Sequence, residues 1–300
     1  MHSNTEIVHK SGFVNIVGNP NVGKSTLMNI LVGEKLSIIT PKAQTTRHRI
    51  IGIVNTPDAQ IVFSDTPGVL HPNYKLQERM LIFSESALGD ADILLYVTDI
   101  VEQLDKNDFF LKKMQQTTLS TLMIINKIDL ANQEQLEQKV MKCKTILPHA
   151  EIIPLSATNR FNIDYLQKRI KRLLPESSPY FEKDAITDRP ARFFVAEIIR
   201  GKILLYYQKE IPYSVEVVVD LFKEWKNLIR MKVIIITERD SQKKILIGKG
   251  GKALKKVGSM ARKDIEEFFD KKIFLEMYVR VERDWRNRDN LLKRFGYMLE

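Results

Sequence analysis

The chain has 300 residues, of which 44% are hydrophobic and 28% are charged, with 13 Gly and 11 Pro. This composition excludes a collagen-like, low-complexity or disordered chain, and the length allows one large domain or two moderate ones. The single cysteine, Cys143, excludes an internal disulfide and a thiolate zinc cluster. The sequence contains no apolar run of the roughly 18 residues that span a bilayer, and no signal-peptide pattern, so we predict an intracellular protein.

The net charge of +10 is concentrated in the C-terminal part. Residues 1–180 contain 20 Lys and Arg against 18 Asp and Glu, whereas residues 181–300 contain 27 against 19. Residues 243–263 contain eight basic residues and no acidic one. A solvated surface usually mixes both signs, so this segment predicts an anionic partner.

The first half of the chain alternates strand-like apolar runs with amphipathic helical stretches. Strands that alternate with helices predict an α/β domain with a mostly parallel six-stranded sheet. The gap at 56–59 predicts an antiparallel hairpin between the second and third strands. The predicted strands are Phe13–Val17, Arg49–Asn55, Gln60–Ser64, Ile93–Thr98, Leu119–Ile125 and Ile152–Leu155. The predicted helices are Lys24–Leu31, Lys75–Leu88, Asp108–Gln116, Gln133–Thr145 and Ile163–Leu173.

A different pattern follows the proline-rich segment 175–190. We predict a first domain at 1–176, a linker at 177–190 and a smaller α+β domain at 191–300. We interpret Phe268, Phe269 and Phe274 as core residues of the second domain. Its predicted elements are a helix at Ala191–Tyr207, strands at Ser214–Phe222 and Ile229–Thr237, a helix at Leu254–Phe269, a strand at Ile273–Val281 and a C-terminal helix.

Residues 18–25 (GNPNVGKS) match the pattern G-x-x-x-x-G-K-[ST] between a predicted strand and a predicted helix. Glycines in such a loop let successive backbone N–H groups face a polyphosphate. Lys24 then places its charge on the β- and γ-phosphates, and the Ser25 hydroxyl ligates Mg²⁺. The segment predicts a nucleotide site with contacts from Gly18, Asn19, Pro20, Asn21, Val22, Gly23, Lys24 and Ser25.

The segment Asn126–Asp129 (NKID) follows an apolar strand and predicts guanine specificity. The Asp129 carboxylate can accept hydrogen bonds from N1–H and N2–H₂ of guanine, whereas adenine lacks this pair of donors. We expect Lys127 to lie across the base and Asn126 to tie the segment, which includes Ile128, to the phosphate loop.

Two shorter motifs complete the predicted nucleotide site. The first, DTPG at 65–68, closes the third strand, where Asp65 can hold Mg²⁺ through water and the Gly68 N–H can contact the γ-phosphate. The second, at 156–157, would present backbone N–H groups to guanine O6. Contacts are predicted from Asp65, Thr66, Pro67, Gly68, Val69, Ser156 and Ala157.

The ordered set GNPNVGKS, TTR, DTPG, NKID and SAT resembles the Ras-like GTPases of the Era type. This resemblance implies a six-stranded sheet, GTP or GDP with Mg²⁺ as ligands, and a threonine near residue 46 that ligates Mg²⁺ in the GTP state. We favour Thr46, with Thr45 as the alternative, so that Ser25, Thr46 and Asp65 form the metal site. The implied catalytic residues are Lys24, Thr46 and Gly68.

Val69 stands where Ras-like proteins place a water-orienting glutamine. Valine cannot hydrogen-bond the attacking water, so we expect a slow intrinsic hydrolysis. Relatives with an apolar residue here often use K⁺ held partly by the asparagine of the phosphate loop. Because Asn21 occupies that position, we hypothesise that K⁺ stimulates the reaction.

The segment Ile247–Gly251 (IGKGG) matches the I-G-x-x-G loop of KH domains, which clamp a single-stranded nucleic-acid backbone. Glycines allow the phosphate chain to approach closely, and flanking lysines neutralise phosphates. The order of elements fits the type II KH arrangement. The predicted RNA-binding residues are Ile247, Gly248, Lys249, Gly250, Gly251, Lys252, Lys243, Lys244, Lys255 and Lys256. Residues 245–247 are expected to enter the loop as a strand.

A Ras-like GTPase followed by one KH domain is the Era architecture. The resemblance implies binding near the 3′ end of 16S-type ribosomal RNA and a role in assembly of the 30S subunit, by a monomer in the cytoplasm. Two alternatives remain at this stage. One is a nucleotide-dependent RNA-binding module with negligible hydrolysis. The other is a GTPase that reads anionic lipid, peripherally bound to the cytoplasmic face of the inner membrane.

Overall fold

The computed structural model describes residues 8–68, 71–104 and 108–298, and the chain divides into two units. The first unit contains the described parts of Met1–Ser37, Thr46–His71 and Met80–Asp188. The second contains those of Ile38–Thr45, Pro72–Arg79 and Arg189–Glu300. In the described residues, no helix is both long and apolar enough to cross a membrane.

The first unit contains a six-stranded sheet in the order β2-β3-β1-β4-β5-β6. The β2–β3 pair is an antiparallel hairpin, and every other neighbouring pair is parallel. The prediction of a mostly parallel six-stranded sheet is therefore confirmed. The strands are β1 Lys10–Gly18, β2 Ile50–Thr56, β3 Ala59–Asp65, β4 Ile93–Asp99, β5 Ser120–Asn126 and β6 Glu151–Pro154.

In the described residues, four helices connect these strands and a fifth follows the last strand. Apolar side chains fill the space between the helices and the sheet. All seven residues of β4 are buried, as expected for a central parallel strand covered on both faces. Asn132 begins the fourth helix with a capping box, in which its side chain accepts from Gln135 N. The helices are α1 Lys24–Val32, α2 Lys75–Gly89, α3 Asp108–Gln116, α4 Gln133–Ile146 and α5 Ile163–Leu173.

The carboxyl ends of four neighbouring strands carry the predicted motifs. Gly18 ends β1, Asp65 ends β3, Asp99 ends β4 and Asn126 ends β5. β3 and β4 are parallel to β1, and β5 is parallel to β4, so the four carboxyl ends lie at one edge of the sheet. The strand order reverses beside β1, which is where open α/β sheets bind ligands.

The second unit packs its helices against one face of a three-stranded sheet, β7-β8-β9. The β7–β8 pair is antiparallel and the β8–β9 pair is parallel. Its core is apolar and includes Ile199, Val233, Leu246 and Ile265. The elements are α6 Ala191–Tyr206, α7 Ile211–Ser214, β7 Glu216–Glu224, β8 Leu228–Thr237, α8 Asp240–Ile247, α9 Lys252–Phe269, β9 Lys272–Val281 and α10 Asp289–Arg294.

Two expectations for this unit were wrong. Residues 245–247 form the end of helix α8 rather than a strand. A three-residue apolar run is too short to distinguish the period of a helix from that of a strand. The Gln242 side chain caps the start of the helix, where its Oε1 accepts from Arg239 N at 3.1 Å. Phe268 and Phe274 are not core residues, since 38% of Phe268 and 51% of Phe274 are exposed, and Arg230 lies over the Phe274 ring at 5.4 Å.

The segment that follows α5 runs along the first unit. Ile53 N donates to Ile186 O at 2.9 Å, so backbone hydrogen bonding continues beyond the edge strand β2 of the sheet. Gln60 is fully buried, and its Oε1 accepts from Phe181 N at 2.9 Å while its Nε2 donates to Phe181 O at 2.8 Å. These bonds give the proline-rich segment defined partners in the first unit.

Candidate nucleotide and RNA sites

The phosphate loop joins β1 to α1. The ammonium group of Lys24 donates to Gly18 O at 3.0 Å and to Asn19 O at 2.8 Å. Gly23 has φ 96°, and a Cβ there would lie 2.2 Å from Asn126 Nδ2, so only glycine fits. The loop therefore curls around the lysine side chain at the amino end of a helix, as a phosphate site requires.

Lys24 is a buried cation, with only 6% of the residue exposed. Burial lowers the pKa of its ammonium group to about 8, although the negative charges of Asp65 and Glu102 oppose this shift. A buried cation whose hydrogen bonds go to backbone carbonyls is suited to exchange those partners for phosphate oxygens.

Ser25, Thr46 and Asp65 lie together beside this lysine. Ser25 Oγ donates to Asp65 Oδ2 at 2.7 Å and lies 2.9 Å from Thr46 Oγ1. Thr46 Oγ1 donates to the same carboxylate oxygen at 3.3 Å. The structure thus brings together all three residues of the predicted metal site.

The donor set of this cluster fits Mg²⁺. Two hydroxyls and one carboxylate are hard oxygen ligands, which Mg²⁺ prefers. The second carboxylate oxygen, Asp65 Oδ1, is buried and has no hydrogen-bond partner among the described residues. Burial raises the pKa of Asp65, and the neighbouring positive charge of Lys24 opposes this shift. A divalent cation would supply the missing partner for the orphaned oxygen.

Thr45 points to a different set of atoms from Thr46. Its Oγ1 donates to Lys42 O at 2.6 Å and lies 2.7 Å from Thr40 Oγ1. The Thr45 hydroxyl is therefore engaged within its own loop, whereas the Thr46 hydroxyl lies at the carboxylate.

The NKID segment is held against the phosphate loop and the loop after β6. Asn126 Nδ2 donates to Val22 O at 2.9 Å, and its Oδ1 accepts from Ala157 N at 3.1 Å. Ser156 Oγ donates to the exposed Asp129 carboxylate at 2.5 Å. Asn126 makes the link that the sequence predicted, and Ser156 orients the carboxylate that is proposed to bind guanine.

Lys127 lies between the two predicted halves of the nucleotide site. It has a left-handed backbone, with φ 59°. Its ammonium group donates to Asn21 O at 2.6 Å and pairs with Asp99 Oδ2 at 2.6 Å. Ile128 and Asp129 follow in a short 3₁₀ turn.

The DTPG segment is fixed by its own backbone and hydroxyl groups. Thr66 Oγ1 donates to Ile16 O at 2.8 Å, and Pro67 O accepts from Ser84 Oγ at 2.8 Å. A Cβ at Gly68 would lie 2.8 Å from Pro20 Cα, so this glycine closes directly on the phosphate loop. Val69 lies outside the described residues.

The predicted RNA loop separates two helices of the second unit. Gly248 ends α8, and Gly251 precedes α9 with φ 77°. Gly250 has φ 59°, and no atom lies within 4 Å of a Cβ placed there. The loop leaves backbone N–H groups at the amino end of an 18-residue helix, which favours an anion.

The lysines predicted to bind RNA surround this loop. Lys243 and Lys244 lie on α8, Lys249 lies in the loop, and the other three begin α9. Five of the six side chains are exposed, and they are Lys244, Lys249, Lys252, Lys255 and Lys256.

A groove of about 400 Å³ runs beside the loop, between α9 and β9. Its floor is apolar and includes Leu254, Leu275 and Met277, whereas Lys255 and Arg262 line its basic side. An apolar floor with cations beside it suits unstacked bases joined by a phosphate backbone.

The sequence motifs missed two acidic residues that lie beside the nucleotide site and contact its residues. Asp99 ends β4 and pairs with Lys127, while Glu102 Oε1 accepts from Asn19 Nδ2 in the phosphate loop. The position of Asp99 at the end of a buried strand was a usable signal, because its neighbours β1 and β5 end in motif residues. No comparable signal marks Glu102.

Comparisons with known proteins agree with these two sites. A family described as "50S ribosome-binding GTPase" matches residues 13–127, and a KH-domain family matches residues 210–286. GTPase Era of Staphylococcus epidermidis is 41% identical over 292 residues, which are 97% of this chain and 98% of the relative.

Two solved structures resemble the whole chain. Each has a TM-score of 0.92 and 38% identity, and each match covers 97% of this chain and 100% of the other. One is Era in complex with MgGDPNP and nucleotides 1506–1542 of 16S ribosomal RNA. The other is a variant of Aquifex aeolicus Era bound to GDP·AlF₄⁻.

Proposed function

This chain belongs to the Era family of GTPases, and from that premise we propose that it couples GTP hydrolysis to the binding of small-subunit ribosomal RNA. The RNA would be bound near its 3′ end during assembly of the 30S subunit. GTP hydrolysis is supported by the cluster of Ser25, Thr46 and Asp65 beside the buried Lys24. RNA binding is supported by the glycine loop 247–251 and the lysines around it.

Each residue of the nucleotide site is proposed to have a separate role in hydrolysis. Lys24 neutralises charge on the β- and γ-phosphates, and the Gly68 N–H donates to the γ-phosphate. Ser25, Thr46 and Asp65 would hold Mg²⁺, directly or through water, and the ion would supply positive charge for the phosphate oxygens. A water then attacks the γ-phosphorus, so that the products are GDP and inorganic phosphate.

Guanine specificity is proposed to come from Asp129. Its carboxylate accepts hydrogen bonds from N1–H and N2–H₂ of the base, and Ser156 Oγ keeps it oriented. Asn126 bonds to the backbone of Val22 and Ala157. A displacement of the base-binding segment can therefore be transmitted to the phosphate loop through these hydrogen bonds.

The nucleotide state is proposed to control RNA binding through the segments beside the metal site. Residues 38–45 and 72–79 belong to the second unit. Within that unit, the buried Arg200 donates from Nη2 to Thr45 O at 2.5 Å, next to Thr46 in the chain. Lys75 pairs with Asp289 at 2.5 Å. A conformational change in these segments on hydrolysis would therefore be transmitted to the KH domain through these two contacts.

RNA recognition is proposed to follow the relative that is bound to nucleotides 1506–1542 of 16S ribosomal RNA. The loop 247–251 and the six lysines would clamp the phosphate backbone, while the groove beside α9 would receive bases. We also propose that residues 1–176 form the GTPase domain, 177–190 the linker and 191–300 the KH domain.

The first test is an RNA-binding titration at fixed salt. A labelled oligonucleotide copied from the 3′ end of small-subunit ribosomal RNA is compared with a scrambled control, with a non-hydrolysable GTP analogue or with GDP. Selective binding that is stronger with the analogue supports the proposal, and equal binding under all conditions contradicts it.

The matched variants for this titration each add one negative charge. Gly250→Asp places the charge in the loop, and binding should fall at least tenfold. Asn227→Asp places it in the β7–β8 turn, at the other end of β8, and should leave binding within twofold.

We further propose that K⁺ stimulates hydrolysis through Asn21, whose side chain is exposed at the phosphate loop. The GTPase rate is measured in KCl and in NaCl at equal ionic strength, with Asn21→Ala as the variant. Stimulation by K⁺ that disappears in the variant supports the proposal, whereas equal rates in both salts contradict it.

The lipid alternative has only the positive charge of the second unit in its favour. Sedimentation with anionic vesicles, in competition with the RNA oligonucleotide, separates the two partners. Displacement of the protein from vesicles by RNA at low concentration would favour the RNA proposal. The alternative without hydrolysis is tested by multiple-turnover phosphate release from GTP.

A further inference from the structure

Glu102 lies in the loop after β4, and its carboxylate reaches the phosphate loop of the same unit. Oε1 accepts a hydrogen bond from Asn19 Nδ2, and Oε2 accepts from the buried Thr98 Oγ1 at 2.5 Å. The carboxylate thus joins the end of a central strand to the second residue of the phosphate loop. Glu102 is not among the residues that we propose to contact the nucleotide.

The backbone of Glu102 is fixed independently of its side chain. Its N–H donates to Asp99 Oδ1 at 2.8 Å, and its carbonyl accepts from Lys139 Nζ at 2.5 Å. Lys139 is itself buried. Removal of the carboxylate should therefore leave this loop in place and break the hydrogen bonds from Asn19 and Thr98.

Asn19 is held at both its side chain and its backbone. The side chain donates to Glu102, while the carbonyl accepts from Lys24 Nζ at 2.8 Å. The other side of the loop is held through Lys127, which bonds to Asn21 O and pairs with Asp99. The segment 99–102 thus supports the phosphate loop at two points.

We propose that Glu102 is a positioning residue that holds Asn19 and so orders the phosphate loop before a nucleotide binds. The proposal rests on the nucleotide site proposed above. Ordering the loop in the folded protein removes an entropic cost from binding. Because Glu102 acts on the loop rather than on the γ-phosphate, it helps GDP and GTP equally, and its loss raises Kd and KM without changing kcat.

The test is a double-mutant cycle on equilibrium binding of fluorescent GDP and of a non-hydrolysable GTP analogue. Glu102→Ala and Asn19→Ala should each weaken both ligands about tenfold, and the double variant should lose no more than either single one. Glu102→Ala should keep kcat within twofold of wild type at saturating GTP. Glu102→Gln should recover most of the affinity, since its amide oxygen can accept from Asn19.

A control variant lies next to Glu102 in the same loop. Gln103 is exposed, and Gln103→Ala should bind both nucleotides like wild type. Thermal unfolding of each variant checks that the fold is intact. If Glu102→Ala does not fold, Glu102→Asp provides the cycle, because its side chain is one methylene too short to keep the hydrogen bond from Asn19.

Two results would overturn the proposal. One is wild-type affinity in Glu102→Ala, or in Glu102→Asp where that variant replaces it, and the other is additive losses that reach about 100-fold in the double variant. Failure of the proposed function itself would look different, because the wild-type chain would then bind neither guanine nucleotide.

Discussion

Ser25 Oγ and Asp65 Oδ2 are joined by a 2.7 Å hydrogen bond, although the two residues come from different motifs at the ends of β1 and β3. The bond forms because the two strands are parallel neighbours, with Ile16 opposite Asp65. Their carboxyl ends therefore bring a hydroxyl and a carboxylate together, which is the arrangement that Mg²⁺ needs.

Loss of the Asp65 carboxylate should abolish the metal dependence of GTP hydrolysis. Asp65→Asn removes the negative charge but keeps the shape of the side chain, so kcat should fall roughly 100-fold or more. The measurement is the GTPase rate as a function of Mg²⁺ concentration. Asp164→Asn, at an exposed position in the first turn of α5, is the control and should match wild type.

The adjacent threonines 45 and 46 should respond very differently to substitution. Thr46→Val removes a hydroxyl from the Asp65 cluster and should slow hydrolysis about 100-fold. Thr45→Val removes only the bonds to Lys42 O and Thr40 Oγ1 within its own loop and should cost less than fivefold. Single-turnover rates at saturating Mg²⁺ test both, and a reversed order would assign the metal to Thr45.

Base selectivity should change at Asp129. Asp129→Asn loses the acceptor pair for the guanine edge, so GTP affinity should fall about 100-fold and xanthine nucleotides should be preferred. Competition of GDP and XDP for a fluorescent nucleotide measures the ratio. Ser156→Ala should weaken GDP by less than tenfold without a change of base preference, because only the orientation of the carboxylate is lost. Unchanged selectivity in Asp129→Asn would contradict this base site.

The contribution of the RNA loop should appear in the salt dependence of binding. Lys252→Ala at the start of α9 removes about one phosphate contact, so the negative slope of log K against log salt should become less steep by about 0.7. Lys226→Ala in the β7–β8 turn should leave the slope unchanged. Equal slopes for both variants would place the RNA elsewhere on the protein.

Cys143 should be chemically inert while the protein is folded. The residue is fully buried in the core of the first unit, and burial raises the pKa of its thiol to about 11. The reactive thiolate is therefore scarce below pH 9, and a disulfide reagent should label it only in denaturant. Rapid labelling of the native protein at pH 8 would contradict the buried position.

The order of elements and the type of each site were predictable from local sequence. The run Ile93–Val97 and its neighbours alternate with amphipathic helices, and this pattern is sufficient for a parallel sheet. GNPNVGKS, NKID and IGKGG carry their chemistry in contiguous residues, because a loop that binds phosphate or a base edge needs its groups at fixed short spacing.

Tertiary structure decided what depends on residues far apart in the chain. Only the packing of strands brings Thr46 rather than Thr45 to Asp65, and only the fold joins Asn19 to Glu102 across 83 positions. The exposure of Phe274 depends on which sheet face the helices cover. Local patterns report periodicity and spacing, whereas these pairings are set by sheet register and by which polar groups remain unpaired after the core has packed.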